Sequence, residues 1–221
     1  MKKIITLFTI IMSFSAHSQY LKHQKVLFDV TAGYSVTASF RSGNENKNFD
    51  DTDLSGVLFD AAVYYRLGFN SPHMIGVRGS YVDAKNTFDV YMFDDFYAES
   101  IDKKYNSFFV GPSYKFEYIT FNGKFGSSVS LTPGYAQINS EITDLNSRAN
   151  IKASGYGFSL SATGSRRIIE SFDWIIKIGL NYSQYSNFDV EFSGPKKIVI
   201  AENLKFSPFR MEFSTGFSYK F

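Results

Sequence analysis

The chain has 221 residues, contains no cysteine, and carries 23 lysines and arginines against 21 aspartates and glutamates. Without cysteine, neither a disulfide framework nor a lipid-modified cysteine anchor is available. Acidic and basic residues are interleaved, so there is no basic patch and no indication of a nucleic-acid partner.

The N-terminus predicts export. Two lysines precede an apolar run from Ile4 to Phe14, which is followed by the small-residue segment Ala16–Ser18. A basic start, an apolar segment too short to span a bilayer and a small-residue cleavage site are typical of a secretory signal peptide. We therefore assign residues 1–18 to a signal peptide and residues 19–221 to a single domain. No later apolar run is long enough for a membrane helix, so residence in a membrane would require a closed barrel.

The rest of the sequence alternates every second residue between apolar side chains and small or polar ones, which predicts β-strands with two unlike faces. We predict eight strands, at about 26–40, 57–67, 75–81, 107–118, 125–136, 155–163, 174–183 and 209–221. The connections between them alternate long and short. The long ones, near 41–53, 85–104, 137–150 and 184–208, are polar, and the short ones contain turn formers such as Asn122-Gly123.

The C-terminal segment from Phe209 to Phe221 shows the alternation most regularly. Its odd positions are apolar or aromatic apart from one threonine, and its even positions are charged, hydroxylic or glycine. A soluble edge strand would be expected to carry blocking charges instead of a row of aromatic residues. Four residues of this segment resemble the C-terminal assembly signal of bacterial outer-membrane β-barrels: Ser214, Gly216, Tyr219 and Phe221.

Alternation, loop-length asymmetry and this terminal signal make the chain after residue 18 resemble small OmpA/OmpX-like outer-membrane β-barrels, the porin family of Gram-negative cell envelopes. PorT-like proteins of secretion machineries have a similar layout. The resemblance implies an all-β, antiparallel, up-and-down transmembrane barrel of about eight strands, with short periplasmic turns and long outer loops. It also implies residence in the bacterial outer membrane after signal-peptide cleavage, contact with lipid and lipopolysaccharide, and insertion by the barrel-assembly machinery.

The composition of the two faces indicates which one points inward. The apolar face is rich in aromatic residues, whereas the other is mostly Gly, Ser, Thr and Ala with a few charges, which suits a narrow interior better than a solvated surface. Aromatic residues fall toward both strand ends, as in the two girdles of membrane barrels. They are Tyr34, Tyr81, Tyr135, Tyr156 and Tyr182 at the outer ends, and Tyr65, Tyr118, Phe125, Trp174, Tyr219 and Phe221 at the periplasmic ends. A soluble lipocalin-like binder is the alternative, because alternation alone does not assign inside from outside.

An inward polar face would bring a set of charged residues into the lumen. They are Asp29, Asp60, Arg66, Arg78, Lys115, Glu117, Lys177, Arg210 and Glu212, together with Lys220. Because an eight-stranded barrel is only wide enough to be filled by side chains, these charges must be paired. Strand adjacency indicates pairs of Arg78 with Asp60 or Glu117, and of Lys177 with Glu212. We therefore predict a filled lumen, with a narrow solute channel as the alternative.

Catalytic and metal sites have little support in the sequence. Some small outer-membrane barrels modify lipid A with a histidine, a serine and an acid at the outer rim, but His23 and His73 fall on the periplasmic side. The acidic residues of the first two long loops do not have the spacing of an EF-hand loop; they are Asp50, Asp51, Asp53, Asp89, Asp94, Asp95, Glu99 and Asp102. We therefore predict no enzymatic activity, no metal site and no cofactor.

Three aromatic residues of the second long loop lie among these acids. A solvated loop accounts for the acids more easily than for these aromatic side chains. Exposed aromatic residues in a loop often mark a binding surface, so Phe93, Phe96 and Tyr97 are candidate contacts for another envelope protein. The sequence thus predicts a structural or interaction role through the outer loops, and a place in an envelope or secretion assembly would fit it.

Overall fold

The computed structural model describes residues 25–39, 55–68, 71–91, 98–119, 123–144, 147–193 and 208–221. It contains eight strands: β1 (Val26–Ser39), β2 (Gly56–Arg66), β3 (His73–Tyr91), β4 (Ala98–Ile119), β5 (Phe125–Asp144), β6 (Ser147–Ile169), β7 (Phe172–Ser193) and β8 (Pro208–Lys220). Each strand pairs antiparallel with the next, and β8 pairs with β1, so the sheet closes into a barrel. The predicted all-β, up-and-down architecture is confirmed. Among the described residues no helix is long and apolar enough to cross a membrane.

Period-two alternation forms this barrel because every strand turns one face toward the axis. In β2, buried and exposed residues alternate without exception from Gly56 to Arg66. The exterior carries aliphatic and aromatic side chains such as Phe59 and Val77, whereas the interior wall is mostly small, hydroxylic or charged. The eleven aromatic residues assigned to the two girdles are all exposed or partly exposed. The apolar face is therefore the outer face.

Both ends of the described chain lie at one end of the barrel, which we call the terminal end; the opposite one is the distal end. Lys25 N donates to the carbonyl oxygen of Phe221 at 2.8 Å, and Phe221 N donates to that of Val26 at 2.9 Å. Three short connections lie at this end: the one between Arg66 of β2 and His73 of β3, residues 170–171 between β6 and β7, and the turn before β5, where Gly123 has φ of 64°. Glycine adopts that left-handed conformation without strain.

The distal ends of β3 to β7 extend beyond those of β1, β2 and β8, which corrects the predicted loop boundaries. Tyr91 of β3 pairs with Ala98 of β4, and Asp144 of β5 pairs with Ser147 of β6. The segments 85–104 and 137–150 are therefore largely strand, and β7 continues to Ser193. Their charged and polar side chains predicted loops. Each of these segments nevertheless continues beside a neighbouring strand that is already in register, so the backbone hydrogen bonding extends along it.

Barrel closure between β1 and β8 requires a close approach at Gly33. This residue lies opposite Ser214 of β8. A Cβ on Gly33 would lie against the carbonyl oxygen of Phe213 and 2.5 Å from the Cα of Ser214. Since those atoms belong to the backbone, no side-chain rotation could make room. Glycine at this position therefore allows the two strands to coil tightly around the narrow interior.

Candidate functional site

Among the residues whose burial is described, eleven charged side chains are buried in the interior of the barrel, six basic and five acidic. They are Arg66, Arg78, Lys115, Lys177, Arg210 and Lys220, and Asp29, Asp60, Glu117, Asp173 and Glu212. The strands bring them together because the inward-facing residues of all eight converge on one axis. An isolated charge in such a place would carry a desolvation penalty of roughly several kcal/mol, so the arrangement depends on pairing.

The central cluster is organised around Arg78 of β3, whose side chain is fully buried. Its Nε donates to Asp60 Oδ2 at 2.6 Å and its Nη2 donates to Glu212 Oε2 at 3.0 Å. Its Nη1 donates to the hydroxyl of Ser159. The second oxygen of Asp60, Oδ1, accepts from Lys177 Nζ at 2.5 Å. A single guanidinium thus ties β3 to β2, β6 and β8, which lie on different sides of the interior.

These pairs differ in part from those expected from strand adjacency. Arg78 does pair with Asp60, but among the described residues it forms no ion pair with Glu117. Lys177 pairs with Asp60 of β2 instead of Glu212 on the neighbouring β8. The reason is that long side chains reach across a narrow interior, so adjacency on the wall does not decide their partners. Glu212 is then the carboxylate that accepts from Arg78.

The terminal cluster is a second set of ion pairs, near the chain ends. Glu117 of β4 accepts from Arg66 Nη2 and, at 3.3 Å, from Lys220 Nζ. The same Lys220 nitrogen lies 2.7 Å from Asp173 Oδ2. The sequence placed Asp173 in a turn. Every second residue of β7 faces inward, and counting back four residues from Lys177 reaches Asp173. The alternating pattern could therefore have identified Asp173 as an inward-facing residue.

One further buried pair joins β4 and β1. Lys115 Nζ donates to Asp29 Oδ2 at 2.7 Å and lies 4.9 Å from the ring centroid of Tyr64. Tyr64 also packs in a small apolar group with Leu27 and Met74. The ammonium therefore has both a carboxylate and an aromatic face as neighbours, which compensates for its removal from water.

Arg210 lies on the distal side of the central cluster. Its Nη1 donates to Ser107 Oγ at 2.7 Å, and its Nη2 is 3.7 Å from Glu212 Oε1. Farther toward the distal end the interior becomes apolar, in a group that we call the apolar cluster: Ala84, Tyr105, Phe109, Ala136, Ile138, Ala153 and Tyr185. Phe109 is an aromatic residue on the face of β4 that is otherwise small or polar, and it belongs to this group. Tyr105 and Tyr185 fall outside the strands predicted from the sequence, which therefore missed them.

The residues of the C-terminal signal lie in the strand that closes the barrel. Ser214 Oγ donates to Thr31 Oγ1 of β1 at 3.0 Å. Gly216 lies opposite Thr31. Tyr219 is exposed on the exterior, and its ring meets that of Phe221 edge to face at 4.6 Å. The exposed aromatic rings and the small inward residues of this segment thus lie on opposite faces of β8.

Several residues singled out in the sequence lie outside the described residues: Phe93, Phe96, Tyr97, His23, Asp50, Asp51, Asp53, Asp94 and Asp95. The side chains of Asp89, Glu99 and Asp102 are likewise not described. His73 begins β3 on the exposed surface at the terminal end. Its Nδ1 lies 2.5 Å from the hydroxyl of Tyr114, so its nearest polar partner is a phenol on the neighbouring strand.

Known proteins resemble this chain in fold. No protein-family model matches the sequence, and no curated protein sequence matches it. The crystal structure of Neisserial surface protein A aligns with a TM-score of 0.53 and 12% identity, covering 89% of this chain and 97% of that one. A major outer membrane protein from Thermus thermophilus aligns with a TM-score of 0.52 and 12% identity, covering 89% and 99%. The outer membrane protease OmpT from Escherichia coli aligns at a TM-score of 0.47 and 9% identity, over 92% and 100%. The first two alignments show that the chain has the fold of an outer-membrane β-barrel protein.

Proposed function

We propose that this chain is an integral outer-membrane β-barrel with a side-chain-filled lumen, and that it acts through its distal loops as a structural or interaction protein, without enzymatic activity. The observation that carries the proposal is the combination of an apolar exterior with an interior filled by ion pairs. Only lipid makes an apolar outer band favourable around a closed ring of strands. Residues 1–18 would direct export, and the terminal end would face the periplasm.

Lipid and lipopolysaccharide would contact the exterior band, and the barrel-assembly machinery would bind Ser214, Gly216, Tyr219 and Phe221. An envelope protein would contact the distal loops, with Phe93, Phe96 and Tyr97 as the candidate residues. The absence of enzymatic activity is supported by His73, which lies exposed at the terminal end against Tyr114. The outer rim, where lipid A-modifying barrels hold their histidine, is at the opposite end of the barrel.

Lipid contact is tested by placing a charge on the exterior band. Val77 is 56% exposed and lies near the middle of the part of β3 that pairs with β2, so Val77→Arg is expected to lower the stability of the barrel in a bilayer by about 2–4 kcal/mol. Urea unfolding of the barrel refolded in lipid vesicles measures the change.

Asn187→Arg is the matched control, because Asn187 is exposed on the distal part of β7, where an arginine is expected to change the stability by at most about 1 kcal/mol. Equal stabilities for the two variants and the original chain would contradict lipid contact. That result would favour the soluble, lipocalin-like alternative.

The filled lumen is tested by conductance. The barrel, refolded and shown by an unboiled gel to be folded, is expected to give no ion-conducting steps in a planar bilayer. The central cluster ties opposite walls together, and the apolar cluster fills the interior beyond it. Steady steps whose size depends on salt concentration would contradict the filled lumen and would favour the narrow solute channel.

A further inference from the structure

The hydrogen-bonded ladder between β4 and β5 is interrupted halfway along the barrel. Residues 111–113 of β4 and 132–134 of β5 form no pairs with each other, although both segments pair without interruption with their other neighbours, β3 and β6. The register on either side of the gap sets Pro112 opposite Pro133. We call these two segments the proline seam.

The direction of the backbone N–H groups follows from two hydrogen bonds at the terminal end. Glu117 N donates to the carbonyl oxygen of Pro72, on the β3 side, so odd-numbered residues of β4 face β3 and even-numbered ones face β5. Arg167 N donates to that of Lys124, so even-numbered residues of β5 face β6 and odd-numbered ones face β4. Even residues of β4 and odd residues of β5 are therefore the ones that bond to each other.

Pro112 and Pro133 occupy one such position. In a regular antiparallel ladder, residues directly opposite there exchange two N–H···O bonds. Proline has no N–H, so both bonds of this pair are missing, and the ladder supplies no donor to either carbonyl oxygen. Both prolines lie on the exposed exterior. The two prolines can thus separate without breaking a backbone hydrogen bond between them, and the side-chain bond that must break is the one from Thr132 Oγ1 to Ser113 Oγ, 2.7 Å long, on the terminal half of the seam.

The inner side of the seam leads directly to the apolar cluster. Gly111 and Gly134 face each other on the distal half of the seam, where the two backbones pack closely: a Cβ on Gly111 would lie 2.6 Å from the Cα of Gly134. Next to them on the distal side, Phe109 pairs with Ala136, and both belong to the apolar cluster. The Cζ of Phe109 lies 2.8 Å from the place that a Cβ on Gly134 would occupy. The ring of Phe109 therefore covers the distal half of the seam from within, and the hydrogen-bonded side chains of Ser113 and Thr132 cover the other half.

We propose that the proline seam is a lateral binding site, through which the acyl chain of a bilayer amphiphile reaches the apolar cluster when the Phe109 ring turns aside. This inference rests on the proposed membrane location. The ligand class follows from what borders the distal half of the seam, which is an apolar exterior on one side and the apolar cluster on the other. Opening is local because the ladders on both flanks of the seam are intact.

The test uses single cysteines, because the chain has none of its own. Ala136→Cys places a thiol beside the seam, and Ala62→Cys is the matched control; the original alanines are 0% and 3% exposed. Ala62 lies in β2, whose ladders to β1 and β3 run unbroken past it. A long-chain N-alkyl maleimide dissolved in the vesicle bilayer is expected to modify the cysteine at 136 roughly tenfold faster, which corresponds to about 1.4 kcal/mol in an opening equilibrium.

The second part of the test restores the backbone hydrogen bonds between β4 and β5. In the Ala136→Cys chain, Pro112→Val with Pro133→Val returns both N–H donors, so the labelling rate is expected to fall to that of Ala62→Cys. Equal rates at 136 and 62, or no effect of the two valines, would overturn the inference. A charged, water-soluble maleimide that modifies position 136 as fast as the alkyl one would also overturn it, since access would then come from an aqueous mouth.

Failure of the seam and failure of the proposed function are distinguishable. An unboiled gel reports insertion and folding in vesicles independently of any thiol reaction. Should the chain not insert, the membrane location is contradicted, and the same two cysteines compared in detergent micelles decide whether the seam admits an alkyl chain. Mass spectrometry of the intact chain counts the added alkyl group in every case.

Discussion

Replacing Arg78 with methionine is expected to lower the free energy of unfolding by about 3–5 kcal/mol, because a buried pair that loses one partner leaves an uncompensated charge. Arg78 holds Asp60 and Glu212 from one guanidinium. Lys177 remains beside Asp60, so Glu212 becomes the less compensated carboxylate. Urea unfolding in vesicles, followed by the fluorescence of Trp174, the single tryptophan, measures the loss.

Arg148→Met is the matched control for Arg78→Met. Arg148 pairs with Glu141 at 2.8 Å, but its side chain is 61% exposed, so the change is expected to cost less than about 1 kcal/mol. Adding Glu212→Gln to Arg78→Met is expected to recover part of the stability, since it removes a buried carboxylate charge that keeps only the 3.7 Å contact to Arg210. Equal losses for Arg78→Met and Arg148→Met would contradict a stabilising central cluster.

Gly33→Val is expected to prevent closure of the barrel between β1 and β8. The added Cβ would meet the carbonyl oxygen of Phe213 and the Cα of Ser214, which are backbone atoms that no rotamer change can move aside. Overpacking a well-packed interior costs about 1–3 kcal/mol, and more where the backbone must shift. The folded fraction after refolding, read from unboiled gels, is expected to fall close to zero.

Gly164→Val provides the control for Gly33→Val. Gly164 is an exposed glycine of β6, and a Cβ there would meet nothing within 4 Å. Valine favours the strand conformation more than glycine does, so the refolded fraction is expected to stay the same or to rise. If both valine variants refolded equally well, close approach at Gly33 would not be required for closure.

The strands were predictable because alternation is a local property of the chain. A lipid-facing or core-facing wall requires apolar side chains at every second residue, and each strand meets this requirement within its own sequence. Phe209 to Phe221 carried the clearest pattern, and the structure makes it the strand that pairs with β1. The inward positions of Arg78, Asp60 and Lys177 followed from the same pattern once the small and polar face was assigned to the interior.

The distal parts of the strands were not predictable from alternation alone. Residues 85–104 are rich in polar and charged side chains, which indicate a loop in a single segment. Their pairing across β3 and β4 depends on two distant strands already lying in register. The sequence pattern likewise does not predict that Pro112 lies opposite Pro133. The register between two strands is a property of the pair and not of either segment.

The sequence by itself determined eight strands, each with one apolar face and one small or polar face that carries the charges, because face and period are local; the structure decided that the apolar face is the outer one. Only the tertiary structure decided which charges meet. Arg78 pairs with Glu212, and Lys177 pairs with Asp60, across an interior that is too narrow for an unpaired charge. The physical reason is that ion-pair geometry is set by the distance between side chains in space, whereas alternation is set by the geometry of a single strand.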